Sequence, residues 1–274
     1  MGADVTELAR AGGVTVRSFV CRAGPSTAPF DEQHGGHVVA LVLAGSFRYR
    51  TSPGDATLVP GAALLGNPGQ PYRCSHEYCQ GDRCLSFELT PALLASVAAD
   101  AGAAVDRFVL PALPAGALPA SLVASARVAA AGADPFAVQS AAVTLAAHAF
   151  RTRPGRAPPP SRTDAVRASE AARLLDRSSG EALSLEQVAA KFDTSPYHFH
   201  RTFRAALGIT PHQYLVQARL RRAARLLATT ELPVTDIAFS CGFGDLTHFI
   251  RTFRADAGAS PGRWRAAHRG GQRP

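Results

Sequence analysis

Arg201-Thr202-Phe203-Arg204 returns fifty residues later as Arg251-Thr252-Phe253-Arg254, and this pair decides how the C-terminal part of the chain is read. At the same offset His198-Phe199 matches His248-Phe249, Gly208 matches Gly258, Thr210-Pro211 matches Ser260-Pro261, and Tyr214 matches Trp264. Upstream the offset falls to 49, where Val188-Ala189 matches Ile237-Ala238. The second copy therefore carries one more residue in its turn, around Gly242-Phe243-Gly244. Two copies of one structural unit is the economical explanation of such a repeat.

Working outward, the helix signals are legible on both sides. Ser184-Leu185-Glu186-Gln187 is a capping-box pattern, opening a helix with Leu185, Val188, Ala189 and Phe192 on one side. Asp193-Thr194 makes a turn, and Ser195-Pro196 supplies an N-cap followed by proline at the first helical position. That second helix is expected to stop at Gly208. Two short helices joined by a tight turn form a helix-turn-helix, whose second helix enters the major groove of DNA. Between the copies, Pro211 to about Thr229 reads as a helix with Leu215, Ala218, Leu220, Ala223, Leu226 and Leu227 on its apolar side. At 1.5 Å per residue it spans roughly 28 Å, so it can hold two recognition helices about one DNA turn (~34 Å) apart.

Over residues 165–267 the chain resembles the AraC/XylS family of regulators. The resemblance is carried by Val188-Ala189, Phe203, Gly208-Ile209-Thr210-Pro211, Tyr214, Arg219-Leu220, Ala223, Leu226-Leu227, Ile237-Ala238, Cys241-Gly242-Phe243, Phe249, Arg251, Phe253, Gly258 and Ser260-Pro261. It implies a seven-helix domain that binds promoter DNA and recruits or repositions RNA polymerase. By position in the family motif, Tyr197, His200 and Arg201 would face bases from the first recognition helix. Leu246, Thr247, His248 and Arg251 would do so from the second. An arginine can pair bidentately with guanine, a histidine can bond a base edge or a phosphate, and Leu246 can offer only an apolar contact. Arg204, Arg254 and Arg263 suit phosphates, which position without specifying sequence. His198 is a further candidate; with His248 it can serve DNA contact or packing. Phe199, Phe203, Phe249 and Phe253 belong to the core.

Charge divides the 274 residues the same way. Residues 1–150 hold 9 Arg against 11 Asp and Glu, a net of −2, whereas residues 163–274 hold 16 Lys and Arg against 10 acids, a net of +6. An acidic front and a basic back fit a sensor joined to a nucleic-acid binder. Hydrophobic residues at 46% allow a buried core in each half. Residues 151–162, with four prolines and four arginines, read as a linker. The N-terminus shows no basic segment followed by an apolar run, and no stretch approaches a membrane span. Five cysteines, an odd count, fit a reduced cytoplasmic protein.

In the front half, Val14–Cys21, His37–Leu43, Ser46–Arg50, Ala56–Val59, Ala62–Leu65 and Leu85–Leu89 read as short strands between Gly/Pro turns, the rhythm of a small antiparallel barrel or sandwich. Residues 91–150 are Ala/Leu/Val-rich, with helix starts at Pro91 and at Asp134-Pro135. Helices apolar over so much of their circumference are core or a dimer seam. The strand region resembles the cupin-like barrel common at the front of the family. The family's metal pattern is broken here: His34 and His37 are spaced apart, Val38 stands where a Glu belongs, and Pro68-Gly69-Gln70-Pro71 ends in Tyr72 rather than His. A second cluster, Cys74, His76, Cys79 and Cys84, offers thiolates and imidazole to a soft metal such as zinc or copper, or thiols to an oxidant. Strand alternation puts Cys74 and His76 on one face and leaves Cys79 dependent on a turn. Cys21 and Cys241 read as structural.

The expected protein is multidomain α+β. A cupin-like β-barrel with appended helices (residues 1–150, dimerising through helices 91–150) is followed by a linker (151–162) and an all-α domain of two helix-turn-helix units joined by a linker helix (163–274). The expected function is a homodimeric transcription regulator, an activator, that binds double-stranded promoter DNA under control of a small-molecule or metal effector. No cofactor is required for that role. The competing readings are a metal or thiol sensor at the cysteine cluster and a cupin-type enzyme with a DNA-binding tail.

Overall fold

A computed structural model describes residues 3–76, 81–132, 134–152 and 161–269. It is α+β: sheets come first, and helices follow. Among the described residues ten strands form two antiparallel sheets. The first contains β1 (Asp4–Ala11), β2 (Val14–Cys21), β4 (His37–Gly45), β7 (Ala63–Gly66), β9 (Asp82–Leu89) and β10 (Ala112–Leu113), in the order β1-β2-β9-β4-β7-β10. The second contains β3 (Phe30–Gln33), β5 (Phe47–Thr51), β6 (Gly54–Leu58) and β8 (Pro71–Ser75), in the order β3-β8-β5-β6. All six strands expected from the pattern are present, and β1, β3, β8 and β10 join them. The alternation missed these because β1 and β3 are mostly exposed and polar, while β10 has two residues.

Beside the first sheet lie α1 (Pro91–Asp100), α2 (Ala120–Gly132) and α3 (Pro135–Arg151). Thr90 caps α1 ahead of Pro91, and Asp134 caps α3 ahead of Pro135. Their apolar faces go into a core with the sheet: Leu94, Val97, Val123, Val138, Ala142 and Leu145 meet Val16, Leu41 and Phe87.

Among the described residues seven further helices follow: α4 (Arg162–Arg177), α5 (Leu185–Ala190), α6 (Pro196–Leu207), α7 (Pro211–Thr229), α8 (Val234–Ser240), α9 (Leu246–Ala257) and α10 (Pro261–Arg269). The linker expected over 151–162 is narrower at both ends. Arg151 closes α3, and Arg162 opens α4 behind the Ser161 cap; residues 153–160 lie outside the described residues. Among the described residues no helix is long and apolar enough to cross a membrane.

The helical part has two cores. Phe199, Phe203, Leu207 and Tyr214 pack with Ala168, Ala172 and Leu175 of α4, and this cluster runs on into Phe47, Tyr49 and Leu58 of the second sheet. Phe249, Phe253 and Trp264 pack with Ile237, Cys241 and Leu227, and this cluster reaches Ala120 and Ala124 of α2.

Candidate nucleic-acid interface

The first unit is α5, a turn and α6. Ser184 and Gln187 exchange both capping-box hydrogen bonds at the start of α5. The turn places Asp193 at φ 50°, a left-handed conformation that aspartate tolerates better than most residues. Ser195 Oγ accepts from the His198 amide at 3.3 Å, and Pro196 occupies the first turn of α6. Gly208, at φ 73°, stops the helix. Inside, the Phe192 and Phe199 rings stack, and Phe203 meets Tyr214 edge-on. The spacing that buries Phe199, Phe203 and Leu207 leaves Tyr197, Arg201 and Arg204 exposed, with His198 and His200 half-buried. Tyr197 is 78% exposed, unusual for an aromatic residue in a folded chain.

The second unit is α8, a turn and α9; the turn spans five residues, as in the first unit, and not one more as the change of offset suggested, because α8 itself is one residue longer than α5. Just beyond α8, Gly242 takes φ +84°; a Cβ there would meet the Ser179 carbonyl oxygen at 2.7 Å. Asp245 caps α9, its carboxylate accepting from the His248 amide at 2.6 Å, and Gly258 ends it at φ 69°. Phe249 and Phe253 are buried, while Thr247, His248, Arg251, Arg254 and Arg263 are exposed. The His248 ring stands edge-on to Phe243 at 5.9 Å, so one face of it has a packing neighbour.

Leu246 sits differently from its sequence-based expectation. It is the first residue of α9, at the place Pro196 holds in α6, and it packs partly against the unit's own core. The apolar side chain standing where His200 stands in the first unit is Ile250, 37% exposed. The fifty-residue offset, carried one position further, points to it.

Between the units α7 runs 19 residues, capped by reciprocal hydrogen bonds of Thr210 and Gln213. Its Tyr214 is fully buried; the hydroxyl donates to the Asp176 carboxylate at 2.6 Å and lies 3.3 Å from the Pro60 carbonyl oxygen of the sheet half. Arg221 pairs with Asp176 at 2.9 Å and lies over the Tyr214 ring. Nearby, a cleft of about 560 Å³ opens between the β4–β5 turn, α2, α4 and α7. Arg127, Arg173, Arg177, Arg221, Arg222 and Arg225 line it, with Asp176 as its acid. Burial, then the nearby charges of Arg83 and Arg225, hold the Arg127 pKa below the usual arginine value. Arg173 Nε is buried with no hydrogen-bond partner among the described residues.

In the sheet half the structure brings Cys74, His76 and Cys84 together; Cys79 lies outside the described residues. Two groups join them that the sequence reading left out, Cys21 and Asp82. These face each other as partners across β2 and β9. His76 Nε2 is 2.5 Å from Asp82 Oδ1, and Cys84 Sγ is 3.2 Å from Asp82 Oδ2. Burial raises the pKa of Cys21, Cys74 and Cys84, with the Asp82 carboxylate adding to the effect. His34 and His37 are held apart from this group. His34 Nε2 is 2.7 Å from the Tyr49 hydroxyl, its ring stacks on Tyr72, and burial lowers its pKa to about 4. His37 meets Asn67 instead.

Residues 188–267, which run from α5 into α10, match the family model described as a helix-turn-helix domain. The chain is 46% identical over 76 residues to the HTH-type transcriptional activator RhaS of Klebsiella pneumoniae (strain 342), covering 28% of this chain and 27% of RhaS. It is 39% identical over 97 residues to the transcriptional activator NphR of Rhodococcus sp, covering 35% and 29%. Among solved structures, the DNA-binding domain of the global transcriptional factor AdpA, in complex with a target DNA, aligns with 32% identity and TM-score 0.37 over 38% of this chain and 95% of that domain. The matches thus span under a third of the length of these two curated relatives.

Proposed function

We propose that this chain, an AraC/XylS-family protein by its helix-turn-helix region, is a sequence-specific transcription regulator of the activator kind rather than an enzyme. One observation carries the reading. α6 and α9 bury the same phenylalanine pair and expose the same arginines, Arg201 and Arg251, at matching positions on either side of one helix. Tyr197, His200 and Arg201 supply base contacts from α6; Thr247, Ile250 and Arg251 supply them from α9; Arg204, Arg254 and Arg263 hold phosphates. RNA polymerase is the partner that such a regulator recruits. The two facing sheets support a cupin-like sensor half, and Phe136 on α3, 80% exposed, supports a homodimer contact there.

The test is electrophoretic mobility shift against DNA selected from a random pool by the wild-type protein. Arg201→Ala or Arg251→Ala should weaken selected-site binding by about fivefold or more with unchanged circular dichroism, because a bidentate arginine–guanine pair is worth roughly 1–3 kcal/mol. Binding equal to wild type in both variants would sink the assignment.

The arginine-lined cleft supports a small anionic effector, a polycarboxylate or phosphate ester, that bridges the sheet half and the DNA-binding helices. Such a ligand shifts a balance between arrangements only through its differential affinity for them. A thermal-shift screen of organic anions on wild type and Arg127→Gln tests it. A stabilising anion whose effect survives Arg127→Gln does not bind there.

A further inference from the structure

We propose that Cys21, His76 and Asp82 form a binding site for a zinc-class divalent ion that ties the two sheets of the N-terminal half together.

The placement follows from strand register. Cys21 is the last residue of β2 and Asp82 the first of β9, and the two pair across the ladder. Their side chains therefore stand side by side on one face, and Cys84, two residues after Asp82, shares that face. The other sheet delivers His76, one residue beyond the end of β8, with Cys74 two residues before it. One ligand atom each from Cys21, His76 and Asp82 lies within 4.8 Å of the other two. Zinc bonds of about 2.0–2.3 Å require tetrahedral ligands roughly 3.3–3.8 Å apart, so small side-chain rotations form the site, including an opening of the 2.5 Å contact between His76 Nε2 and Asp82 Oδ1. The fourth position falls to water or to Cys84.

A second, independent observation points to a ligand. The His76 side chain is 2% exposed, yet its Nδ1 is buried with no hydrogen-bond partner among the described residues. Asp82, its neighbour, is only 8% exposed at the side chain, so a carboxylate is buried as well. The unsatisfied imidazole nitrogen is costly, and the Asp82 carboxylate, although it meets His76 and Cys84, still buries a negative charge. A divalent cation compensates the carboxylate and takes an imidazole nitrogen as a ligand. Metal binding also releases the thiol proton that burial otherwise retains. The mixed thiolate, imidazole and carboxylate set suits zinc, whereas copper(I) takes soft sulfur ligands. Phe30 and Phe47 lie against the His76 ring and shield it from water.

This site stands whether or not the chain binds DNA, so its test makes no use of DNA. Full-length protein without a histidine tag, purified without chelator, is to be assayed for zinc by elemental analysis, then stripped and titrated with Zn²⁺ and Co²⁺. Stoichiometric zinc and a thiolate-to-cobalt charge-transfer band are expected. Cys21→Ser and His76→Gln should weaken zinc by at least about 100-fold, since outer-shell changes alone cost 10–100-fold; Cys241→Ser, a buried cysteine of the second helical core, should leave affinity unchanged. Wild-type protein with neither stoichiometric zinc nor a cobalt–thiolate band overturns the proposal, even if the variants fail to fold. Zinc retained by both variants overturns it too, because the metal then sits elsewhere.

Discussion

The two helix-turn-helix units share an outward face and differ in what lies behind it. The first is built into an apolar core that continues into the second sheet, through Phe47, Tyr49 and Leu58. The second reaches the N-terminal half through α2, and much of that contact is polar. Asp256, near the end of α9, accepts from the amides of Ala120 and Ser121 at 3.0 and 2.9 Å, and so caps α2 from outside. Ser125 and His268 meet at 2.8 Å beside it. The two copies share their exposed face, while their attachments differ. Apolar contact is non-directional, whereas these part-buried hydrogen bonds depend on the geometry of their partners.

The strongest attempt to break this comparison is to hollow out each core. Phe203→Ala and Phe253→Ala should each cost about 3–5 kcal/mol. Chemical denaturation followed by hydrogen exchange should show Phe203→Ala loosening β5 and β6 as well, and Phe253→Ala sparing them. Equal loosening of the sheet by both would erase the distinction. Next in size are the recognition arginines. Each alanine variant should lose roughly 1–3 kcal/mol of discrimination at its own half of the site, as read by binding to singly substituted DNA. The first unit should supply more hydrogen-bonded positions, because His200 stands where the second unit has Ile250. Asp256→Ala should raise amide exchange at Ala120 and Ser121 and cost about 1 kcal/mol, the usual value of a lost N-cap. Smallest is the contrast between the caps of the recognition helices. Ser195→Ala and Asp245→Ala should each cost about 0.5–2 kcal/mol, with the Asp245 effect shrinking in salt because a carboxylate also meets the helix dipole. A salt-independent Asp245 effect would put the whole contribution in its hydrogen bond.

The C-terminal region was legible because its signals are local. Caps, the prolines at first turns, the glycines at helix ends and the phenylalanine spacing all act within a few residues, and the repeat states them twice. The extra residue of the second unit was visible as a change of offset, but its place at the end of α8 rather than in the turn was not, since a helix end depends on more than one local signal. Contacts across sheets were hidden for a different reason. Cys21 is 61 residues from Asp82, and only ladder register, which no local pattern encodes, brings them face to face. The same holds for Asp256 and α2: an acidic residue on an amphipathic helix looks like solvated surface until its partner is placed.

Tyr214 carries a practical consequence for anyone rebuilding this molecule from parts. Its ring belongs to the helical region and its hydroxyl lies between Asp176 and the Pro60 carbonyl of the other half. Beside it Gly61, at φ +90°, admits Arg221 so closely that any Cβ would meet the guanidinium at 2.6 Å. A chimera that joins this DNA-reading half to a foreign sensor would inherit a socket without its plug. Transplants should carry the Pro60-Gly61 corner with them, or trade Tyr214 and Arg221 together for residues that tolerate water.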